Sequence, residues 1–256
     1  MEHSKKIGLL WILAAVVFAG LFVIGIPILA KKIPFEKEKS WTESIELVDK
    51  HLICKNEKKN ALLKKIVDRV YPQLPDDNAI SIEVSVYRSD KINAFAFLGG
   101  RIYICEELLS KVESAEALAG VLAHEIGHVK RRHIMQSLIV RLMTYAGLVY
   151  LLGDSSAGQR IINSFLEMQY TKQKEIEADK DAVVRLKQAE ISLSGLKSFF
   201  EYMGKQTNVP DFLSDHPGFT ERLSLLEKES IHDSKPILSP EEWSELKTIC
   251  KSEKGL

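Results

Sequence analysis

Cysteine is scarce in this chain of 256 residues: Cys54, Cys105 and Cys250 are all it has. They form no C-x-x-C pair and no zinc-ribbon spacing, which excludes the common thiolate metal sites. An odd count also argues against a disulfide framework. One bridge, Cys54 to Cys250, is open to the chain in an oxidising compartment, but the expected state is free, buried thiols. Net charge is lacking too. Lys+Arg and Asp+Glu both number 35, so no basic surplus exists to hold a nucleic-acid backbone. Repeats and low-complexity tracts are absent as well.

Between Ile7 and Ala30 there is no charged residue. As a helix that stretch spans roughly 36 Å, enough to cross a bilayer. Lys5 and Lys6 precede it, and Lys31 and Lys32 come after it. A cleaved signal peptide is the competing reading, but its apolar run is only about 7–15 residues, and Ile28 is too large for a cleavage site ending at Ala30. The expectation is an uncleaved signal anchor over 7–30 with a cytoplasmic tail of residues 1–6. The charged, Pro34-containing segment 31–42 reads as a linker. The remaining chain is long enough for one sizeable domain, placed at 43–235, with a C-terminal helix in 236–256.

Hydrophobic spacing gives the coarse organisation. Ile45, Leu47, Val48 and Leu52, then Leu62, Leu63, Ile66, Val67 and Val70, recur with a helical period over 43–70. A turn at 72–78 ends this region. Ile80, Ile82, Val84 and Val86 alternate as a half-buried strand, and Asn93–Leu98, Gly99-Gly100 and Arg101–Cys105 read as strand, tight turn, strand. The apolar stretch 134–152 carries Arg141, which argues for a core or membrane-surface helix over a second span. A break at 153–158, a long helix over 159–188, a helix over 193–205 and a loop at 208–210 complete the body. Ser239-Pro240-Glu241-Glu242 is a helix start, with a Ser cap, Pro at the first position and Glu at the third. The fold class is α+β, mainly helical, with a small antiparallel sheet or hairpin.

The chemistry is concentrated at His124-Glu125-Ile126-Gly127-His128. On a helix the two histidines lie one turn apart on one face, so their imidazoles can share a zinc ion. Glu125 beside them is placed to take a proton from an attacking water. Ser114 can cap this helix, and its body, from Ala115 through Leu118, Val121, Leu122, Ile126 and Val129, is apolar enough to be buried. Two histidines and a glutamate are costly there without a shared partner. A catalytic zinc needs a third protein ligand. Ile134 and Arg131 stand where the metzincin pattern requires His and Gly, so that class is excluded. His133, five residues beyond His128, points away around a continuous helix and reads as a surface residue among Lys130, Arg131 and Arg132. Glu175 and Asp179 share a face of the long helix, so one can ligate while the other supports a ligand histidine. Glu177 points elsewhere.

Four ordered segments carry a resemblance. They are His124 to His133; Tyr170-Thr171-Lys172 with Glu175-Ile176-Glu177-Ala178-Asp179; Asn93 to Gly100; and Asp215-His216-Pro217-Gly218-Phe219-Thr220-Glu221-Arg222-Leu223. Together they resemble the HtpX- and BepA-like zinc metalloendopeptidases, gluzincins related to the type I CAAX prenyl endopeptidases. Leu98 departs from the family, which usually has proline there. The resemblance implies one Zn²⁺ per chain held by His124, His128 and Glu175, with Asp179 behind them and His216 and Arg222 at the cleft as the two candidate catalytic residues for stabilising the oxyanion. It also implies that His216 can approach the metal and block it, and that Asn93, Ala94, Phe95 and Ala96 form the strand that receives substrate. Pairing along a strand reads backbone more than side chains. The expected function is therefore a membrane-anchored endopeptidase that cleaves unfolded or damaged membrane and envelope proteins. A chaperone-like envelope assembly factor with latent protease activity is the alternative. The expected location is the periplasmic or extracytoplasmic face, or else the mitochondrial inner membrane facing the intermembrane space.

Overall fold

The computed structural model describes residues 24–43, 49–72, 80–152, 170–206, 211–229 and 235–251. Most of the expected anchor, the turn at 73–78, the break at 153–158 and the loop at 208–210 lie outside these residues. No described helix is long and apolar enough to cross a membrane.

Residues 24–32 form α1. The segment read as a linker is largely a helix, α2 (Phe35–Glu43), because two of its polar residues, Glu38 and Thr42, are buried against the domain. After a 3₁₀ turn at Lys50–Leu52, Asn56 caps α3 (Glu57–Val70), whose Leu62, Leu63, Ile66, Val67 and Val70 are buried along one face. The sheet is β1 (Glu83–Tyr87), β2 (Ala94–Ala96) and β3 (Arg101–Cys105), in the order β1-β3-β2. It is mixed, not wholly antiparallel. The β2–β3 hairpin is antiparallel, but β3 lies between its neighbours and runs parallel to β1, pairing Glu83 with Arg101 through Tyr87 with Cys105. The chain must cross over between β1 and β2 to return β3 in that direction.

Then come α4 (Glu106–Lys111), α5 (Ala115–Lys130), α6 (His133–Leu152) and α7 (Lys172–Gln188). They are followed by α8 (Ser194–Gly204), α9 (Asp211–Asp215), α10 (Phe219–Glu227) and α11 (Pro240–Leu246). α7 begins at its Thr171 cap, later than the expected long helix; residues 159–169 lie outside those described. In α6, Ile134, Met135 and Ile139 are buried while Leu142 and Met143 are exposed, as fits a core helix with one free side. At α11 the Ser239 hydroxyl accepts from the Glu242 N–H and the Glu242 carboxylate accepts from the Ser239 N–H, a complete capping box.

α5 is the central element. Ser114 caps it, and every residue from Ala117 to Val129 is buried. It packs on α3, α7, α8 and the edge strand β2. Gly127 is what allows α7 so close: a Cβ there would stand 3.0 Å from the Ala178 carbonyl oxygen and 3.1 Å from the Ala178 Cα.

Two expectations are corrected at the ends of the domain. Cys54 and Cys250 form a disulfide with Cα atoms 4.8 Å apart, while Cys105 is free and buried. Docking of α11 against α3, where Lys59 donates to the Thr248 carbonyl and Lys65 to Glu242, brings the two cysteines together across 196 positions. Arg132, read as a surface residue, is buried. It donates to the carbonyls of Ala30 and Ile33, lies 2.7 Å from Glu38 Oε1, and stacks 3.9 Å over the Phe35 ring. Glu38 Oε2 accepts from the Gly99 N–H at 3.1 Å. One carboxylate thus joins α2, the end of α5 and the turn after β2.

Removing one partner of a buried ion pair leaves the other charge uncompensated, at a cost of about 3–5 kcal/mol. Glu38→Ala is therefore expected to lower the unfolding free energy by about that amount, read as a fall in the urea midpoint. A change no larger than that of an exposed control such as Lys64→Ala would show that the pair is solvated.

Candidate metal centre

α5 and α7 present His124, His128 and Glu175 to one point, and the turn after α9 adds His216. One ligand-type atom from each lies within 4.8 Å of all the others, and all four residues are buried. The Nε2 atoms of His124 and His128 are 3.0 Å apart. Glu175 Oε2 is 3.3 Å from His124 Nε2, and Glu175 Oε1 is 3.4 Å from His128 Nε2. His216 Nδ1 stands 3.1 Å from Glu175 Oε2 and 3.3 Å from His124 Nε2.

Each ring is held from behind. His124 Nδ1 is 2.7 Å from Asp179 Oδ1, so its proton sits there and Nε2 faces the cluster. Asp179 lies one turn beyond Glu175 on α7. His128 stacks on the Tyr170 ring at 3.9 Å, and its Nδ1 meets His133 Nδ1 at 3.0 Å. His216 stacks on Phe212 at 4.6 Å. Its loop is fixed to the sheet edge by Asn93 Nδ2 donating to Asp215 and by the Phe212 N–H donating to the Ile92 carbonyl. Gly218, at φ +91°, makes the left-handed turn into α10 that a side chain would strain. That turn delivers Arg222. Fully buried, it donates Nε and Nη2 to Asp179 at 2.6 and 2.9 Å and Nη1 to the His216 carbonyl at 3.0 Å, with Nη1 also 3.0 Å from Glu175 Oε2. Nη2 also stands 3.3 and 3.4 Å from His124 Nδ1 and Nε2.

Electrostatics follow this wiring. Burial raises Asp179 and Glu175, but Arg222 and His124 outweigh it at Asp179, and His216 and His128 outweigh it at Glu175. Both carboxyls lie well below the usual range. Burial and Arg222 oppose charge on His124, yet Asp179 and Glu175 hold it up to about 9. Burial pushes His128 down to about 3 and His133 likewise to about 3. Glu125 is raised by burial, with His216 and His124 pulling against it.

The donor set fits a zinc ion. Imidazole nitrogens and a carboxylate oxygen are zinc donors, two Nε2 atoms at 3.0 Å repel unless something positive lies between them, and buried Glu175 Oε1 has no hydrogen-bond partner. Glu125 is buried as well, with Oε1 3.6 Å from His216 Nε2 and its carboxylate against the Ala96 backbone.

β2 forms the rim. The Asn93 carbonyl and the Phe97 N–H bond to β3, so by alternation the N–H and C=O groups of Ala94 and Ala96 face away from the sheet. The Ala94 carbonyl lies 3.4 Å from His216 Nε2.

His133 and Glu177 are the residues that sequence reasoning missed. The helix does not continue past Lys130: Arg132 sits at φ +64°, and α6 restarts at His133 with its ring turned inward. The three consecutive cations Lys130-Arg131-Arg132 are the signal that marks such a helix end. His133 is buried, not on the surface, and its Nε2 lies 3.4 Å from Glu177 Oε2.

Comparison with known proteins agrees with this geometry. The family model described as Peptidase family M48 matches residues 57–230. Metalloprotease LoiP of Escherichia coli K12 is 31% identical over 159 residues, covering 57% of this chain and 61% of the relative. The mitochondrial metalloendopeptidase OMA1 of Arabidopsis thaliana is 25% identical over 200 residues, 76% of this chain and 39% of the relative. A putative beta-barrel assembly-enhancing protease of Vibrio cholerae is 30% identical over 148 residues, 51% and 31% respectively. The chain thus spans less than two thirds of the length of each relative.

Arg222 gives a test of the electrostatics. Because Asp179 and Glu175 titrate below their unfolded values, their contribution is complete above the ordinary carboxylate range and is lost as pH falls toward the depressed values. Arg222→Met removes the charge they share. It is expected to cost about 3–5 kcal/mol at neutral pH and to move the acid-unfolding midpoint upward by about one pH unit. Circular dichroism during acid titration reads both, and an unmoved midpoint would count against the wiring.

Proposed function

Because the chain belongs to peptidase family M48, a family of zinc-dependent metalloproteases, we propose that it is a membrane-anchored zinc endopeptidase that cleaves extended segments of unfolded polypeptides. In this reading His124, His128 and Glu175 hold the ion. When bound, zinc lowers the pKa of water toward 7 and polarises a peptide carbonyl. Glu125 takes the proton of the attacking water and returns it to the leaving nitrogen. Asp179 and Arg222 are positioning residues, the first fixing the His124 tautomer and the second holding both acids.

The observation that carries the reading is Glu125. A fully buried carboxylate, with only the Ala96 backbone and His216 beside it, is costly unless it has work to do there, and it stands between the histidine cluster and the outer edge of β2. A substrate strand added along Ala94 and Ala96 pairs through backbone groups, so recognition is loose in sequence and strict in extension. That suits unfolded or damaged membrane and envelope proteins, and the name of the Vibrio cholerae relative points to the same setting.

A second reading rests on His216. Three protein ligands leave a catalytic zinc one open position, and His216 Nδ1, 3.3 Å from His124 Nε2 and 3.1 Å from Glu175 Oε2, would be near enough to take it. The resting chain is then self-blocked, and substrate entering along β2 must displace His216. Such latency also suits a chaperone-like assembly factor whose cleavage is secondary. The Cys54–Cys250 disulfide favours an oxidising compartment, which supports an extracytoplasmic location with residues 7–30 as the anchor. The mitochondrial intermembrane space is the other such compartment.

Glu125→Gln is expected to abolish cleavage of casein while one zinc stays bound, and Glu175→Ala to lose the zinc itself. Casein cleavage by Glu125→Gln at the wild-type rate would end the assignment of the base. His216→Ala is expected to bind zinc and to shorten any lag before cleavage begins. A lengthened lag, or loss of cleavage with zinc retained, would move His216 from gating to chemistry.

A further inference from the structure

His124 and His128 are supported differently, and the difference assigns roles to two residues. His124 passes its Nδ1 proton directly to a carboxylate, Asp179, at 2.7 Å. Among the described residues no carboxylate reaches His128 Nδ1. The atom that does is His133 Nδ1 at 3.0 Å, and the other nitrogen of His133 faces Glu177 Oε2 at 3.4 Å. We propose that His133 and Glu177 are positioning residues that together do for His128 what Asp179 does for His124, with an imidazole inserted between ligand and carboxylate.

The direction of the chain follows from proton counting and rests on the reading that His128 ligates zinc through Nε2. A neutral imidazole that offers Nε2 as a lone pair carries its proton on Nδ1. Only one proton can lie between two nitrogens 3.0 Å apart, so His133 Nδ1 accepts. Its own proton must then be on Nε2, where Glu177 accepts it. Each element of the chain has a separate structural cause. Tyr170 stacks on His128 and fixes its ring plane. The left-handed Arg132 ends α5 and turns His133 inward, and Arg132 is itself held by Glu38 and the carbonyls of Ala30 and Ile33. Glu177 is a third exposed; it accepts from Gln173 Nε2 at 3.1 Å and lies 3.5 Å from Arg131 Nη1. Lys174, on the same turn of α7, donates to Ser137 Oγ at 3.4 Å, with its charge near enough to act on both His133 and Glu177.

This distinguishes Glu177 from its neighbours on α7. Glu175 and Asp179 lie on one face, directed at the cluster. Glu177 lies on another face and meets the cluster only through His133, which the broken helix turns inward. Removing a hydrogen-bond partner behind a ligand histidine typically costs about 10–100-fold in metal affinity.

The test uses the full chain and reads zinc affinity by competition with a chromophoric chelator, together with the visible spectrum of the cobalt(II)-substituted protein. Asparagine places its amide oxygen near the position of a histidine Nδ1, so His133→Asn keeps the acceptor that His133→Leu removes. The expected results are zinc affinity within about threefold of wild type for His133→Asn, and a loss of about 10–100-fold with an altered cobalt spectrum for His133→Leu. Glu177→Ala is expected to lose severalfold and Glu177→Gln to retain wild-type affinity. Unchanged affinity and spectrum in His133→Leu, or equal losses in His133→Asn and His133→Leu, would overturn the inference. If His133→Leu does not fold, Glu177→Ala decides alone, since that side chain is partly in solvent. Wild type and His128→Ala are the reference pair. No zinc in wild type, or none lost in His128→Ala, would instead break the ligand reading on which the inference rests.

Discussion

Everything in this molecule depends on how closely two helices approach. α5 and α7 meet at Gly127, where a hydrogen replaces a side chain and the Ala178 backbone lies directly against it. Both glycine and alanine are weak contributors of buried area. Their value here is distance. With the axes this near, a glutamate on one helix reaches two histidines on the other, and these three donors converge before the turn after α9 adds His216. A larger residue at position 127 would separate the helices and every distance in the cluster would lengthen together.

Convergence alone would be unstable. It brings carboxylates and imidazoles together out of contact with solvent, where uncompensated charge is expensive. Arg222 resolves most of this by placing a single guanidinium against Asp179 and Glu175 and the backbone of His216. The same contacts set the orientation of His124 through Asp179 and the position of His216 through its carbonyl. Stability and preorganisation are therefore carried by the same bonds. The one acid outside this arrangement, Glu125, keeps its raised affinity for a proton because burial outweighs the pull of His216 and His124.

How much of this could be read from the chain is clearest residue by residue. The helix of His124 and His128, its Ser114 cap and the Ser239 capping box are local in sequence, and their chemistry is written in contiguous residues. The shared face of Glu175 and Asp179 also follows from helical periodicity. What periodicity could not supply is where the helix ends. Extending α5 past Lys130 sends His133 to the surface, whereas one left-handed residue turns it inward, and that residue is held by Glu38 from a segment that reads as a linker. That the Cys54–Cys250 bridge, open on sequence, actually forms and that β1 runs parallel to β3 could not be read for a related reason. Each is decided by which elements dock on one another, and contacts across 196 positions leave no mark in the spacing of nearby residues.

The Cys54–Cys250 bond also changes the connectivity of the molecule as an object. It closes the polypeptide between those two positions into a covalent ring that contains all four residues of the cluster and the whole sheet. A single backbone cut anywhere within the ring opens it without dividing it, so the pieces on either side of the nick stay one molecule. In an environment rich in proteases, such a ring tolerates one backbone cut before any part of the site can drift away.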